Sequence, residues 1–246
     1  MGAVINKEPN EKFGKTFLKG LGQGALGGYL VFESKRLIRE FSKSGDFGYI
    51  WPSKIINSTG SSIIENAAAN RDFWARWHIN IGFNRIEVNA KNNFRLSYRI
   101  MPLDLMATAC QAIDSRPDWE LSLRTGTFVF RSNKSIEDLD FNGRAFGNSI
   151  QLLDGSQGTA SLPHEIIHTY QYEQLSGFNA YFSKTEDKFA SRYKLVEQYQ
   201  KIFYNDYNLV LGTILFVVSD PENIGRGFAQ KEAYYFGNTS STDKVR

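Results

Sequence analysis

The run Ser161-Leu162-Pro163-His164-Glu165-Ile166-Ile167-His168-Thr169-Tyr170-Gln171 contains two of the chain's three histidines, four residues apart around a glutamate. On a helix, positions i and i+4 project from one face, so both imidazoles can converge on one ion with Glu165 beside them as a base. Zinc chemistry needs that combination. Ile166 and Ile167 are uncharged and suited to hold the other side of the helix against a core. Proline is tolerated in the first turn of a helix, where its missing N–H has no partner to lose, so Pro163 places the helix start close to the motif. Ser161 or Thr159 is positioned to cap it, after the loop-like Asp154-Gly155-Ser156-Gln157-Gly158. Both histidines are then expected in the first two turns, beside a loop-lined cleft. Gln171, one turn past His168 on nearly the same face, lines that cleft, orients a ligand or is simply solvated. The plainest alternative is an amphipathic helix that carries two ordinary histidines.

A catalytic zinc takes three protein ligands and leaves a fourth position open. His78, the remaining imidazole, sits in the alternating stretch Trp77-His78-Ile79-Asn80-Ile81-Gly82-Phe83 and reads as structural. With His-Glu-x-x-His present and no third histidine at metzincin spacing, the chain resembles the gluzincin branch of the zincin metallopeptidases. The match is at the level of the clan and is confined to residues 164–171 and the segment around Glu232.

This resemblance implies a third ligand from a glutamate on a later helix. The best match is Glu232, in Phe228-Ala229-Gln230-Lys231-Glu232-Ala233-Tyr234-Tyr235-Phe236-Gly237-Asn238, although a surface glutamate on a terminal helix would look the same. Glu173 lies on the same helix as His168, and Glu186, Asp187 and Glu197 lie on charged, solvated faces. Thermolysin-like gluzincins often place an imidazole-orienting aspartate four residues after the third ligand. Phe236 stands there in this chain, which leaves Asp154, Asp220, Glu222 or a backbone carbonyl for that task. The resemblance further implies a Zn2+ cofactor on His164, His168 and Glu232, Glu165 as general base, and a peptide or protein substrate. Tyr234, Tyr235 and Tyr170 are the candidates to stabilise the oxyanion.

Around the motif, the 246 residues divide into a flexible glycine-rich segment at 1–28, a helix plus sheet region at 29–153, a helical zinc-binding region at 154–238 and a loose tail at 239–246. The glycines from Gly20 to Gly28 lack a P-loop ending, so they read as a linker or as a place where backbones approach. Tyr29 to Phe41 has helical periodicity. Strands are expected at Ile79–Val88, Phe94–Ile100, Trp119–Arg131 and Ser149–Leu153, with turns at Lys91-Asn92-Asn93 and Asn142-Gly143, giving an antiparallel sheet whose substrate-flanking edge is Ser149–Leu153. Thr185–Asn205 reads as helix with Phe189, Tyr193, Leu195, Val196, Tyr199, Ile202 and Phe203 available to pack. Tyr207–Val218 reads as a buried helix behind the site, too short to span a bilayer. The expected class is α+β: an antiparallel sheet followed by a helical active-site subdomain, zincin-like.

Composition bounds the rest. Hydrophobic residues make up 41% and aromatic residues 14%, which argues for a packed core and against disorder. The net charge of +3 is spread without a basic cluster, so no nucleic-acid partner is expected. The one cysteine, Cys110, reads as a small buried residue, and no disulfide can form within the chain. No transmembrane helix and no secretory leader are read; a removed leader would imply the exterior or the cell envelope, and otherwise the cytoplasm is expected. The competing function is a non-catalytic, envelope-associated binding or structural protein with an incidental or structural metal site.

Overall fold

The computed structural model describes residues 1–91, 94–132, 142–219 and 227–237. Its helices are α1 (Gly2–Ile5), α2 (Phe13–Ser44), α3 (Ile50–Ala68), α4 (Pro102–Ala112), α5 (Trp119–Thr125), α6 (Ser156–Gln174), α7 (Ser183–Arg192), α8 (Lys194–Ile202), α9 (Asn208–Ser219) and α10 (Phe228–Gly237). Strands β1 (Arg76–Ile81), β2 (Asn84–Asn89) and β3 (Arg95–Ile100) form an antiparallel sheet in that order. Strands β4 (Ser115–Pro117), β5 (Phe128–Ser132), β6 (Gly143–Phe146) and β7 (Ser149–Leu152) form a mixed sheet ordered β4-β5-β7-β6, with β5 and β7 parallel. The class is α+β, with two sheets where the sequence suggested one.

The boundary expected at residue 28 falls inside α2, and the glycine-rich stretch is helical. Gly27 explains why glycine is there: a Cβ on it would come 2.7 Å from the Gly60 carbonyl oxygen of α3, and one on Gly60 would come 2.6 Å from the Gly27 carbonyl. The two backbones therefore touch, which no larger residue allows. The α2–α3 hairpin presents Ile38, Phe41 and Ile50 to a core completed by Val129, Ile150 and Leu152 of the mixed sheet and by Leu162, Ile166, Ile167 and Tyr170 of α6. Ile166 and Ile167 hold α6 against that core as expected, each side chain contributing about 1.5–3 kcal/mol through burial.

Several expectations are corrected. Trp119–Arg131 is not one strand: the Asp118 carboxylate accepts the Leu121 N–H, α5 runs to Thr125, and Gly126 ends it in the left-handed region before β5 begins. The expected first strand is the β1–β2 hairpin, turning at Gly82-Phe83. Ser149–Leu152 is not the edge; β7 lies between β5 and β6, and β6 is outermost among the described residues. Cys110 is exposed, because α4 buries Asp104, Ala107, Thr108 and Gln111 and so turns Cys110 outward. Thr185–Asn205 breaks at Tyr193, whose backbone is extended, into α7 and α8, and neither buries a residue; Phe189, Tyr193, Leu195, Tyr199 and Ile202 are exposed. In α9 only Asn208, Leu209 and Gly212 are buried, so this helix is not a buried one, although its Phe216 ring does reach the motif helix. Asn92, Asn93, Asp220, Glu222 and Asn238, together with the tail at 239–246, lie outside the described residues.

Candidate metal centre

Helix α6 begins at Ser156, earlier than Pro163 suggested, so Pro163 is internal and the histidines occupy the middle of the helix. Neither Ser161 nor Thr159 caps it: the Ser161 hydroxyl donates to the Gly158 carbonyl and that of Thr159 to the Gly155 carbonyl. His164, Glu165 and His168 are all buried. The two Nε2 atoms of His164 and His168 face each other at 3.0 Å, with the rings edge to face.

The tautomer of His168 follows from its neighbours. The Gln171 amide nitrogen donates to the Ala229 carbonyl at 2.9 Å and to Glu232 Oε2 at 2.7 Å, which uses both of its hydrogens and fixes the amide. Gln171 Oε1 then faces His168 Nδ1 at 2.7 Å, so Nδ1 carries the proton and Nε2 presents its lone pair to His164. Gln171 is therefore an orienting group and not a solvated helix residue. This is the part played in many metal sites by a carboxylate or carbonyl behind the ligand.

Helix α10 supplies the rest. Gln230 Oε1 lies 3.2 Å from His164 Nε2, and the Tyr234 ring packs on the His164 ring with centroids 4.6 Å apart. Glu232 is two hydrogen bonds removed from His168, through Gln171, and its Oε2 also accepts from Lys35 Nζ at 2.8 Å. Tyr235 is placed elsewhere, exposed, with the Arg39 guanidinium 4.1 Å above its ring. Tyr170 lies in the core with its hydroxyl against Ser53, Asp154 pairs with Arg116 at the surface, and Glu173 is buried on Asn57, Asn80 and Lys54. His78 sits on β1, both ring nitrogens against Ser61 and Ser62, its pKa pulled down to about 3 by burial and by Arg85. That is a structural histidine.

Glu165 lies under β6, the outermost strand of its sheet among the described residues. A Cβ on Gly143, the first residue of β6, would come 3.0 Å from Glu165 Cγ and 2.6 Å from Ser161 Oγ, so the missing side chain is what brings β6 onto the helix here. On the opposite side Phe216 of α9 packs edge-on against His168, centroids 5.3 Å apart.

The donor chemistry fits zinc in part. Two imidazole nitrogens at about 2.0–2.1 Å from a tetrahedral zinc stand about 3.3 Å apart, a few tenths beyond the separation of this pair. Among the described residues no three His, Cys, Asp or Glu side chains already converge on one point, because Glu232 is turned onto Lys35 and Gln171. Sequence reasoning missed Lys35, Gln230 and Gly237. Lys35 was legible in principle, lying four residues after Val31 and three before Ile38 on the buried stripe of α2.

No protein-family model, curated protein or solved structure matches the chain.

Proposed function

We propose that this chain is a zinc-dependent hydrolase of zincin type that cleaves peptide bonds. The observation that carries the reading is the apposition of two buried Nε2 atoms, with the His168 tautomer fixed by Gln171, one residue from a buried glutamate. His164 and His168 are the proposed nitrogen ligands and Glu232 the third, since an anionic oxygen suits zinc better than the neutral Gln230 amide. A zinc ion held there supplies a Lewis acid for the scissile carbonyl and lowers the pKa of water to near 7.

The chain's own residues do the remaining work in this reading. Glu165 takes the proton from the attacking water and returns it to the leaving amine. Tyr234, whose ring packs on His164, is the proposed donor to the developing oxyanion, whereas the position of Tyr235 under Arg39 favours a surface role. Gly143 of β6 lies against Glu165, so a strand borders the proposed base, which is compatible with an extended peptide substrate.

The test combines metal content with hydrolysis of a mixed-sequence fluorogenic peptide library. Near-stoichiometric zinc, lost in His168→Ala, together with cleavage that Glu165→Gln lowers by about 10²–10⁴-fold without loss of zinc, is the expected result. Zinc retained in His168→Ala, or cleavage unchanged in Glu165→Gln, sinks the proposal in favour of a binding or structural protein.

A further inference from the structure

Lys35 is a lysine in the wrong place for an ordinary surface cation. It projects from the buried stripe of α2, is 2% exposed, and its ammonium donates to Glu232 Oε2 at 2.8 Å and to Gln174 Oε1 at 2.9 Å. Burying a lone ammonium costs several kcal/mol unless it is paired, so Glu232 is what makes Lys35 tolerable at that position. The converse also holds. Glu232, the third ligand in the zinc reading, is paired with Lys35 and held by Gln171 at the same oxygen.

We propose that Lys35 is a built-in competitor for the metal: its ammonium holds the Glu232 carboxylate while the centre is empty, and so sets how tightly the site binds a divalent cation. This rests on the zinc reading above. The physical reason is Coulombic. A dication arriving at His164 and His168 could recruit Glu232 only by drawing it away from Lys35, so the ion pair would have to be given up before the carboxylate became a ligand. In return, Lys35 and Glu232 partner each other in the metal-free protein, so the α2–α6–α10 junction can fold before any metal arrives.

Zinc affinity of the full chain, measured by competition with a chromogenic chelator, tests this on the native protein, Lys35→Gln, Lys35→Met, Glu232→Gln and the Lys35→Gln/Glu232→Gln pair. Lys35→Gln keeps a hydrogen-bonding side chain without the charge, so it is expected to bind zinc at least about tenfold more tightly than the native chain. Its zinc-free form is expected to melt earlier and its zinc-loaded form to recover most of that loss. The tightening should vanish when Glu232 is already Gln. Equal or weaker zinc binding in both Lys35 variants, or tightening that persists without Glu232, overturns the competitor role while leaving the zinc reading standing. Zinc bound by none of the proteins overturns both.

Discussion

Gly237 of α10 and His164 of α6 meet backbone to backbone: a Cβ on Gly237 would come 2.8 Å from His164 Cα and 2.9 Å from its backbone nitrogen. With the fully buried Ala233 one turn earlier, Gly237 gives α10 a flat face on which α6 rests. Gln230, Glu232 and Tyr234 are carried to the histidines by that close approach. The Ser42 hydroxyl of α2 donates to the Gly237 carbonyl at 2.5 Å and closes the junction from the third side.

Gly237→Val is therefore expected to push α10 away from the centre. Overpacking of this kind costs about 1–3 kcal/mol, and the larger effect is expected on zinc affinity, because the proposed third ligand Glu232 and Tyr234 shift together. Thermal unfolding and zinc affinity measured on the same preparation check this; unchanged zinc affinity would show that α10 does not contribute to the site.

Gln171→Ala removes the acceptor that holds the proton on His168 Nδ1. Losses of this kind typically cost 10–100-fold in metal affinity, so a drop of about that size is expected. Nitrogen-15 shifts of the His168 ring in metal-free protein should show one tautomer in the native chain and a mixture in the variant.

Asp104 offers a test of stability against pH. Its carboxylate accepts the Asn148 backbone N–H at 2.8 Å and the Asn148 amide at 3.0 Å, but burial and nearby Asp206 push its pKa up to about 7. A pKa raised above the unfolded value of about 3.9 means that the folded state binds the proton more tightly, so this contribution is complete below about pH 4 and is lost as pH rises through 7. Asp104→Asn should flatten the unfolding profile between those limits. The Asn148 Oδ1, which has no hydrogen-bond partner among the described residues, can accept from the new amide, so the variant should fold. A native profile with no fall in that window would contradict the expectation.

Arg85 is the centre of an opposite case. It is fully buried between Glu65, at 2.7 Å, and Glu87, at 2.6 Å, while Tyr204 donates to Glu65 and Arg99 pairs with Glu87. Arg85→Met leaves two buried carboxylates short of their main cation and is expected to cost about 3–5 kcal/mol in denaturant unfolding. Although burial opposes ionisation, Arg85 holds the pKa of both glutamates down, that of Glu87 to about 2. Their contribution is present above the usual glutamate pKa and is lost as pH falls toward 2, so acid unfolding should begin at higher pH in the variant.

Local periodicity sufficed for the parts that a single helix or strand can specify. The spacing of His164 and His168 put both on one face, Ile166 and Ile167 had to face a core, and the alternation around His78 marked a strand with a structural histidine. Breakdown came where two local signals competed. Asp118 and Gly126 bound a helix inside a run rich enough in apolar residues to read as strand, and Pro163 argued for a helix start that the preceding turn of α6 overrode. In α7, α8 and α9 the apolar residues have the spacing of packing residues, yet most of them face outward.

The sequence by itself determined the α+β class and the presence of two histidines and a glutamate on one helix, because both follow from residue types at short, fixed spacings. Only the tertiary structure decided what surrounds those histidines. Lys35, Gln171, Gly143 and Gly237 act through contacts between elements far apart in the chain, and three of the four look locally like residues of no consequence. Their roles come from how closely α2, α6, α10 and β6 approach one another, and that distance is set by packing, which no spacing along the chain encodes.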